Sequence, residues 1–186
     1  TGTVTLNYTT GSVTFAGLTI TGTLVAPNAT FNVTGAYTNN GTFTAHTTGT
    51  IAFTGSLAQT LAGSSTSAFT NITINNTAGV SLSSTTVTIS DVLTLSNGTF
   101  AAAGNLITLL SDINKTARIA PVTGTGACSG NFTVRKFLPT RGALTWADLS
   151  SPVTSTTFAD WDGELYFSYT HTYPFAPPYN YSNVLR

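Results

Sequence analysis

Short runs in which apolar or β-branched residues fall at every second position dominate the first hundred residues. Thr3-Val4-Thr5-Leu6, Val13-Thr14-Phe15, Leu18-Thr19-Ile20-Thr21, Ile72-Thr73-Ile74, Val87-Thr88-Ile89 and Val92-Leu93-Thr94-Leu95 carry the pattern. A side-chain period of two belongs to extended chain, with one face apolar and the other polar. Gly, Asn or Ser interrupts the runs every 6–10 residues, as turns require. No stretch keeps an apolar stripe of helical period, so this region reads as all-β.

Charge is almost missing. Residues 1–90 contain no Asp, Glu, Lys or Arg; the first acid is Asp91 and the first base Lys115. The whole chain of 186 residues has six acids and six bases, far below the usual share of about a quarter. Without a basic stripe there is nothing to displace counterions from phosphates, which excludes nucleic acid as a partner. A hydrophobic share of 41% excludes a charge-rich disordered chain. No apolar run exceeds five residues, so no segment reads as a transmembrane helix. The single Cys128 leaves the chain without an internal disulfide. The sequence opens inside a Thr/Gly pattern without Met and reads as a mature piece of a longer polypeptide.

The pattern also repeats. Gly2-Thr3-Val4-Thr5, then Gly11-Ser12-Val13, Phe15 and Gly17, aligns with Gly41-Thr42-Phe43-Thr44, then Gly49-Thr50-Ile51, Phe53 and Gly55, at offsets of 39 and then 38 residues. A looser echo links Phe31-Asn32-Val33-Thr34 to Phe69-Thr70-Asn71-Ile72-Thr73, and Asn40-Gly41-Thr42-Phe43 returns as Asn97-Gly98-Thr99-Phe100. Two stacked coils of roughly 19 residues each account for such an offset. In a parallel β-solenoid equivalent residues lie about 4.8 Å apart, so a repeated Lys or Glu would repel its own copy. Thr and Asn can bond along the stack instead. A meander or sandwich of antiparallel strands alternates in the same way, but gives no reason for the missing charge; the solenoid is the favoured fold.

Composition changes along the chain. Eleven of the 20 aromatic residues fall between Phe137 and Tyr181, and six of the seven prolines lie at or beyond Pro121. Residues 1–118 therefore read as a Thr-rich β-solenoid. Residues 119–186 read as an aromatic, Pro-rich, β-sandwich-like region with an extended tail, joined through the turn-prone Gly124-Thr125-Gly126. That second region is short against the roughly 100 residues of a complete sandwich, and a strand exchanged with a neighbour would complete it.

From residue 69 onward a family resemblance enters. Phe69-Thr70-Asn71-Ile72-Thr73-Ile74-Asn75 with Gly79-Val80, Leu93-Thr94-Leu95-Ser96-Asn97-Gly98-Thr99-Phe100, and Gly104-Asn105-Leu106-Ile107-Thr108-Leu109 carry it. So do Thr116–Pro121, Ser129–Val134, Arg135-Lys136-Phe137-Leu138-Pro139, Arg141, Trp146 and Leu149–Val153. These phrases resemble the coils, and the module after them, of large repetitive surface proteins of Bacteroidota. The resemblance covers about residues 69–165 well and residues 1–68 only in style. It implies export by the type IX secretion route and display at the cell surface or release from it. It implies an architecture, not an activity.

Candidate chemistry concentrates late in the chain. In Asp160-Trp161-Asp162-Gly163-Glu164 the acids Asp160, Asp162 and Glu164 share one face of an extended segment and offer oxygens to calcium, the one cofactor in view. A turn with solvated acids is the plainer reading, and the acid pair of a secreted hydrolase comes last. Trp146 and Trp161 offer flat faces to sugar rings, or fill a sandwich core with Phe158, Tyr166 and Phe167. The tail residues Tyr173, Phe175, Tyr179 and Tyr181 sit among prolines, which suits an extended subunit contact. His46 and His171 have no ligand-type neighbours at metal spacing. Cys128 reads as an inert thiol in a loop. No Gly-x-Ser-x-Gly elbow occurs. Ten Asn-x-Ser/Thr sequons follow from a composition rich in Asn and Thr. The Thr-x-Thr steps Thr3/Thr5, Thr19/Thr21, Thr42/Thr44 and Thr86/Thr88 are too irregularly spaced for an ice-binding lattice repeated in every coil.

The expected protein is thus an extracellular structural or adhesive module without enzymatic activity, a stalk or a filament subunit whose partners are its own copies or the rest of a larger surface protein. A polysaccharide-binding module is the alternative. Trypsin, which cuts after Lys and Arg, should leave the first 114 residues in one fragment even from unfolded protein; a shorter N-terminal fragment in the mass spectrum would contradict the sequence reading.

Overall fold

The computed structural model describes residues 2–137. The chain divides into two compact units, 1–142 and 143–186, and the second lies outside the described residues. Among the described residues there is no helix. Every strand pairs in parallel, and the one antiparallel contact is an isolated bridge between Ser111 and Thr116. The fold is a parallel β-solenoid, and the antiparallel meander is excluded for this region.

The coil has three faces. The first coil lays down β1 (Thr3–Thr5), β2 (Ser12–Phe15) and β3 (Leu18–Ile20), one on each face. The second repeats them as β4 (Thr23–Val25), β5 (Thr30–Val33) and β6 (Tyr37–Asn39), the third as β7 (Thr42–Thr44), β8 (Thr50–Phe53) and β9 (Gln59–Ala62). In the fourth and fifth coils the first two faces are covered by one long strand, β10 (Ser67–Asn75) or β12 (Thr86–Asn97), followed by β11 (Val80–Ser83) or β13 (Thr99–Ala101) on the third face. Gly11, Pro27 and Gly49 separate those two faces in the first three coils. Between Phe69 and Asn71 no Gly or Pro stands, and the chain passes the corner as a register shift inside β10. The sixth coil contributes β14 (Leu106–Leu109), β15 (Arg118–Ile119) and β16 (Ala127–Ser129), and β17 (Phe132–Val134) begins the next.

The register explains the sequence repeat. Thr3 faces Thr23, which faces Thr42, and Phe15 faces Val33, which faces Phe53. Segments two coils apart are therefore the ones that align at 38–39 residues. The two weaker echoes have another origin. Phe31 stands in a column with Ile51 on the second face, whereas Phe69 pairs with Ile89 on the first. Likewise Thr42-Phe43 lies on the first face and Thr99-Phe100 on the third. The repeated phrase encodes a Gly turn leading into a strand, at two different corners.

The stack runs beyond residue 118, where the change in composition suggests its end. β16 and β17 extend it to Val134, and Gly124-Thr125-Gly126 makes a turn inside the last coil, with Gly126 against Leu95. Composition shifts there because charged residues enter the outer loops: Asp112, Lys115 and Arg118. The winding itself does not change.

Inward columns fill the interior. Phe15, Val33, Phe53, Ile74 and Leu95 form one column, and Val13, Phe31, Ile51, Ile72, Leu93 and Ile119 another. In the second to fourth coils aromatic rings meet edge to face: Tyr37 lies 5.8 Å from Phe69, 6.0 Å from Phe53 and 6.4 Å from Phe43. Such pairs add about 0.5–1.5 kcal/mol each beyond area burial. At the corners, backbone passes close to backbone. Gly98 has φ of 77°, and a Cβ there would run into the carbonyl oxygen of Asn76 in the coil before it. Gly104 has nearly the same φ, 79°, but faces open space. A non-Gly residue in this left-handed region costs about 1–3 kcal/mol. Gly98→Ala should therefore lower the melting temperature clearly more than Gly104→Ala. Equal losses would show that backbone conformation alone, and not coil stacking, demands glycine at Gly98.

Candidate functional site

Outward positions form neutral columns on all three faces. On the first, Thr3, Thr23 and Thr42 stand in one column and Thr5, Val25 and Thr44 in the next. Two of the Thr-x-Thr steps thus share a face two coils apart, with Thr23-x-Val25 between them. On the second face Thr14, Asn32, Ala52, Thr73 and Thr94 align. Direct side-chain bonds along the columns are few: Asn32 Nδ2 donates to Thr14 Oγ1 at 3.4 Å and Asn97 Nδ2 to Asn75 Oδ1 at 2.9 Å. Backbone pairing carries the rest. Where charge does enter, it pairs across coils: Arg118 Nη1 lies 3.1 Å from Asp91 Oδ1, and Lys115 Nζ 4.0 Å from Asp91 Oδ2. Partly exposed pairs of this kind contribute at most about 1 kcal/mol. The Asp112 carboxylate accepts from the backbone N–H groups of Lys115 and Asn114, which holds its pKa below the ordinary value.

Buried polar residues hold the corners, and sequence reasoning did not single them out. Gln59 is fully engaged. Its Oε1 accepts from Gly55 N and Asn76 Nδ2, both at 2.9 Å, and its Nε2 donates to the carbonyls of Val33 and Gly35, both at 2.8 Å. Asn76 Nδ2 also donates to the Leu57 carbonyl at 2.7 Å, and Asn76 Oδ1 accepts from Ala78 N at 2.9 Å. This pair joins the second, third and fourth coils. A second cluster joins the same coils: Asn39 Nδ2 donates to Ser67 Oγ at 3.2 Å, and Ser67 Oγ donates to Tyr37 Oη at 3.2 Å. Every buried side-chain nitrogen and oxygen among the described residues has a partner.

A sequence signal for these residues exists. The nine described sequon asparagines (Asn7, Asn28, Asn32, Asn40, Asn71, Asn75, Asn97, Asn114 and Asn131) are all outside the buried class. The three others, Asn39, Asn76 and Asn105, satisfy backbone at corners, Asn105 through Thr85 N and the Leu82 carbonyl. In a strand, an outward Asn has an outward Thr two positions on, so an Asn without one marks a corner.

Cys128 lies in strand β16 opposite Phe100, not in a loop as its neighbours suggest, and burial pushes its thiol pKa up. His46 is half-buried at a turn, where Thr48 N donates to its Nδ1 at 3.3 Å. The largest hollow among the described residues is an open polar groove of about 250 Å³ lined by Ser64–Thr66, Ser84–Thr86, Asn105 and Leu106. No group of three or more His, Cys, Asp or Glu side chains among the described residues is placed to hold a metal ion. Asp160, Asp162, Glu164, Trp146, Trp161, Tyr173, Phe175, Tyr179, Tyr181 and His171 all lie outside the described residues.

The two ends of the stack differ from its middle. Val4, in the first coil, is 57% exposed, although Leu24 beneath it in the same column is 6% exposed. At the other end Ile119 is 43% and Val134 39% exposed, above Leu93 at 0% and Leu109 at 3%. Among the described residues no strand pairs the outer edge of β1, β2 or β3, nor that of β15, β16 or β17. Compared with known proteins, the chain matches no family, no curated protein and no solved structure.

Burial raises the Tyr37 phenol pKa well above its ordinary value of 10.0. The folded state therefore holds the phenolic proton more tightly than the unfolded chain. This stabilisation is complete below about pH 10 and is lost as pH rises above the unfolded pKa. Tyr37→Phe, which leaves Ser67 without its acceptor, should cost about 1 kcal/mol at pH 7 and flatten the fall in melting temperature between pH 9 and 11. An unchanged alkaline slope in the variant would contradict the assignment.

Proposed function

We propose that the chain is a structural or adhesive module displayed outside the cell, in which the coil stack serves as a stiff stalk. The observation that carries this reading is the uninterrupted parallel ladder on neutral faces, with inward columns buried to a few per cent from the second coil to the fifth. Each coil is tied to the next by backbone bonds, so bending the stack means breaking several at once. Neutral Thr, Ser and Asn faces suit a spacer that must not bind unselected charged partners. The resemblance of residues 69–165 to repetitive surface proteins supports an outside location. A role as a spacer asks for no cleft and no reactive group.

Antibody raised against the solenoid should label intact cells that make the protein as strongly as permeabilised ones. Labelling confined to permeabilised cells would contradict the reading.

A further inference from the structure

We infer that copies of this chain join end to end, the outer edge of the first coil in one copy pairing with the outer edge of the last coil in another. The inference rests on the stalk reading and deepens it by naming the partner as a second copy. Three observations support it. First, each end presents one full turn of strand edges, β1–β3 at one and β15–β17 at the other, and all run in the same sense around the stack. A head-to-tail joint therefore continues the parallel pairing that already connects every coil to the next. Second, the inward columns lose their cover only at the ends. Val4, Ile119 and Val134 are 57%, 43% and 39% exposed, while the column neighbours Leu24, Leu93 and Leu109 are 6% exposed or less.

Third, the structure contains a worked example of what covers such a coil. The first coil repeats the third in sequence, Gly2–Thr5 matching Gly41–Thr44 and Ser12–Phe15 matching Thr50–Phe53. On the side where the first coil is open, the third is covered by another coil of this chain, through Thr23↔Thr42 and Thr30↔Thr50. The first coil also lacks the features that keep sheet edges apart: residues 2–22 contain no charge and no Pro. A neutral edge meets the charged loops of the last coil without like-charge contact. The joint is heterologous and repeats without closing, which gives filaments rather than a dimer. One coil end is small beside the roughly 800 Å² per partner of a standard interface, so assembly should depend on concentration, with Kd on the order of tens of micromolar.

The test uses the full chain under reducing conditions, in sedimentation velocity from about 1 to about 500 µM. Wild-type protein should move from monomer to species of at least three copies over this range. Val4→Lys and Val134→Lys each place a charge on one end only, and each alone should stay monomeric. Their equimolar mixture should form a two-copy species and nothing larger, because one intact first-coil end meets one intact last-coil end. Leu57→Lys, at a position 78% exposed on the flank, should assemble like wild type. Wild-type monomer at about 500 µM overturns the inference, and this arm stands even where a variant fails to fold. Assembly by Val134→Lys equal to wild type overturns the head-to-tail joint in favour of head-to-head pairing. A monomer that keeps β-type circular dichroism and a cooperative melt leaves the stalk reading in place while end-to-end joining fails. A wild-type chain without either signal brings down both.

Discussion

Parallel, in-register stacking governs this structure. Once a coil lies on its predecessor, each side chain stands about 4.8 Å from its counterparts above and below, and its chemistry must tolerate near-copies of itself. Charge fails that requirement, because two like ions at such a distance repel and gain nothing from the pairing. Threonine meets it: β-branching favours the extended backbone, and neutral hydroxyls cause no repulsion. The single place where charge enters the outer columns obeys the same logic, since Asp91 is answered by Arg118 in the following coil. The absence of ionised residues from the first 90 positions is thus a consequence of the winding.

The interior has a second constraint. A three-faced coil must turn between faces, and each turn leaves backbone groups inside. Gln59, Asn76, Asn39 and Ser67 satisfy those groups across neighbouring coils. Because each residue serves more than one coil, these clusters fix the order in which coils stack as well as the turns themselves. A half-satisfied cluster would cost more than an apolar corner, and none occurs among the described residues.

Much of the fold was legible in the sequence because the determining signals are local and periodic. Thr3-Val4-Thr5 and its relatives state which side chains face inward, and the 38–39-residue offset states the coil length once it is recognised as two coils. What was not legible depends on tertiary context. Asn39 and Asn40 are adjacent and chemically identical, yet one is buried and the other exposed. The phrase Asn-Gly-Thr-Phe names a turn and a strand without naming the face, so Thr99 lies on a different face from Thr42. The extent of the stack was hidden because lengthened loops in the sixth coil brought charge with them: Val92 pairs with Arg118, 26 positions on, where the early coils advance by 18–20. The acidic and aromatic groups near the C-terminus were readable as clusters, but they fall outside the described residues and contribute no geometry to the site.

Stacking in register is most directly tested by nuclear Overhauser contacts between backbone protons of the second face. Parallel pairing in these columns predicts contacts linking Thr14, Asn32, Ala52 and Thr73 in series, each about 18–21 residues from the next. Contacts that instead join neighbouring segments as antiparallel hairpins would contradict the account.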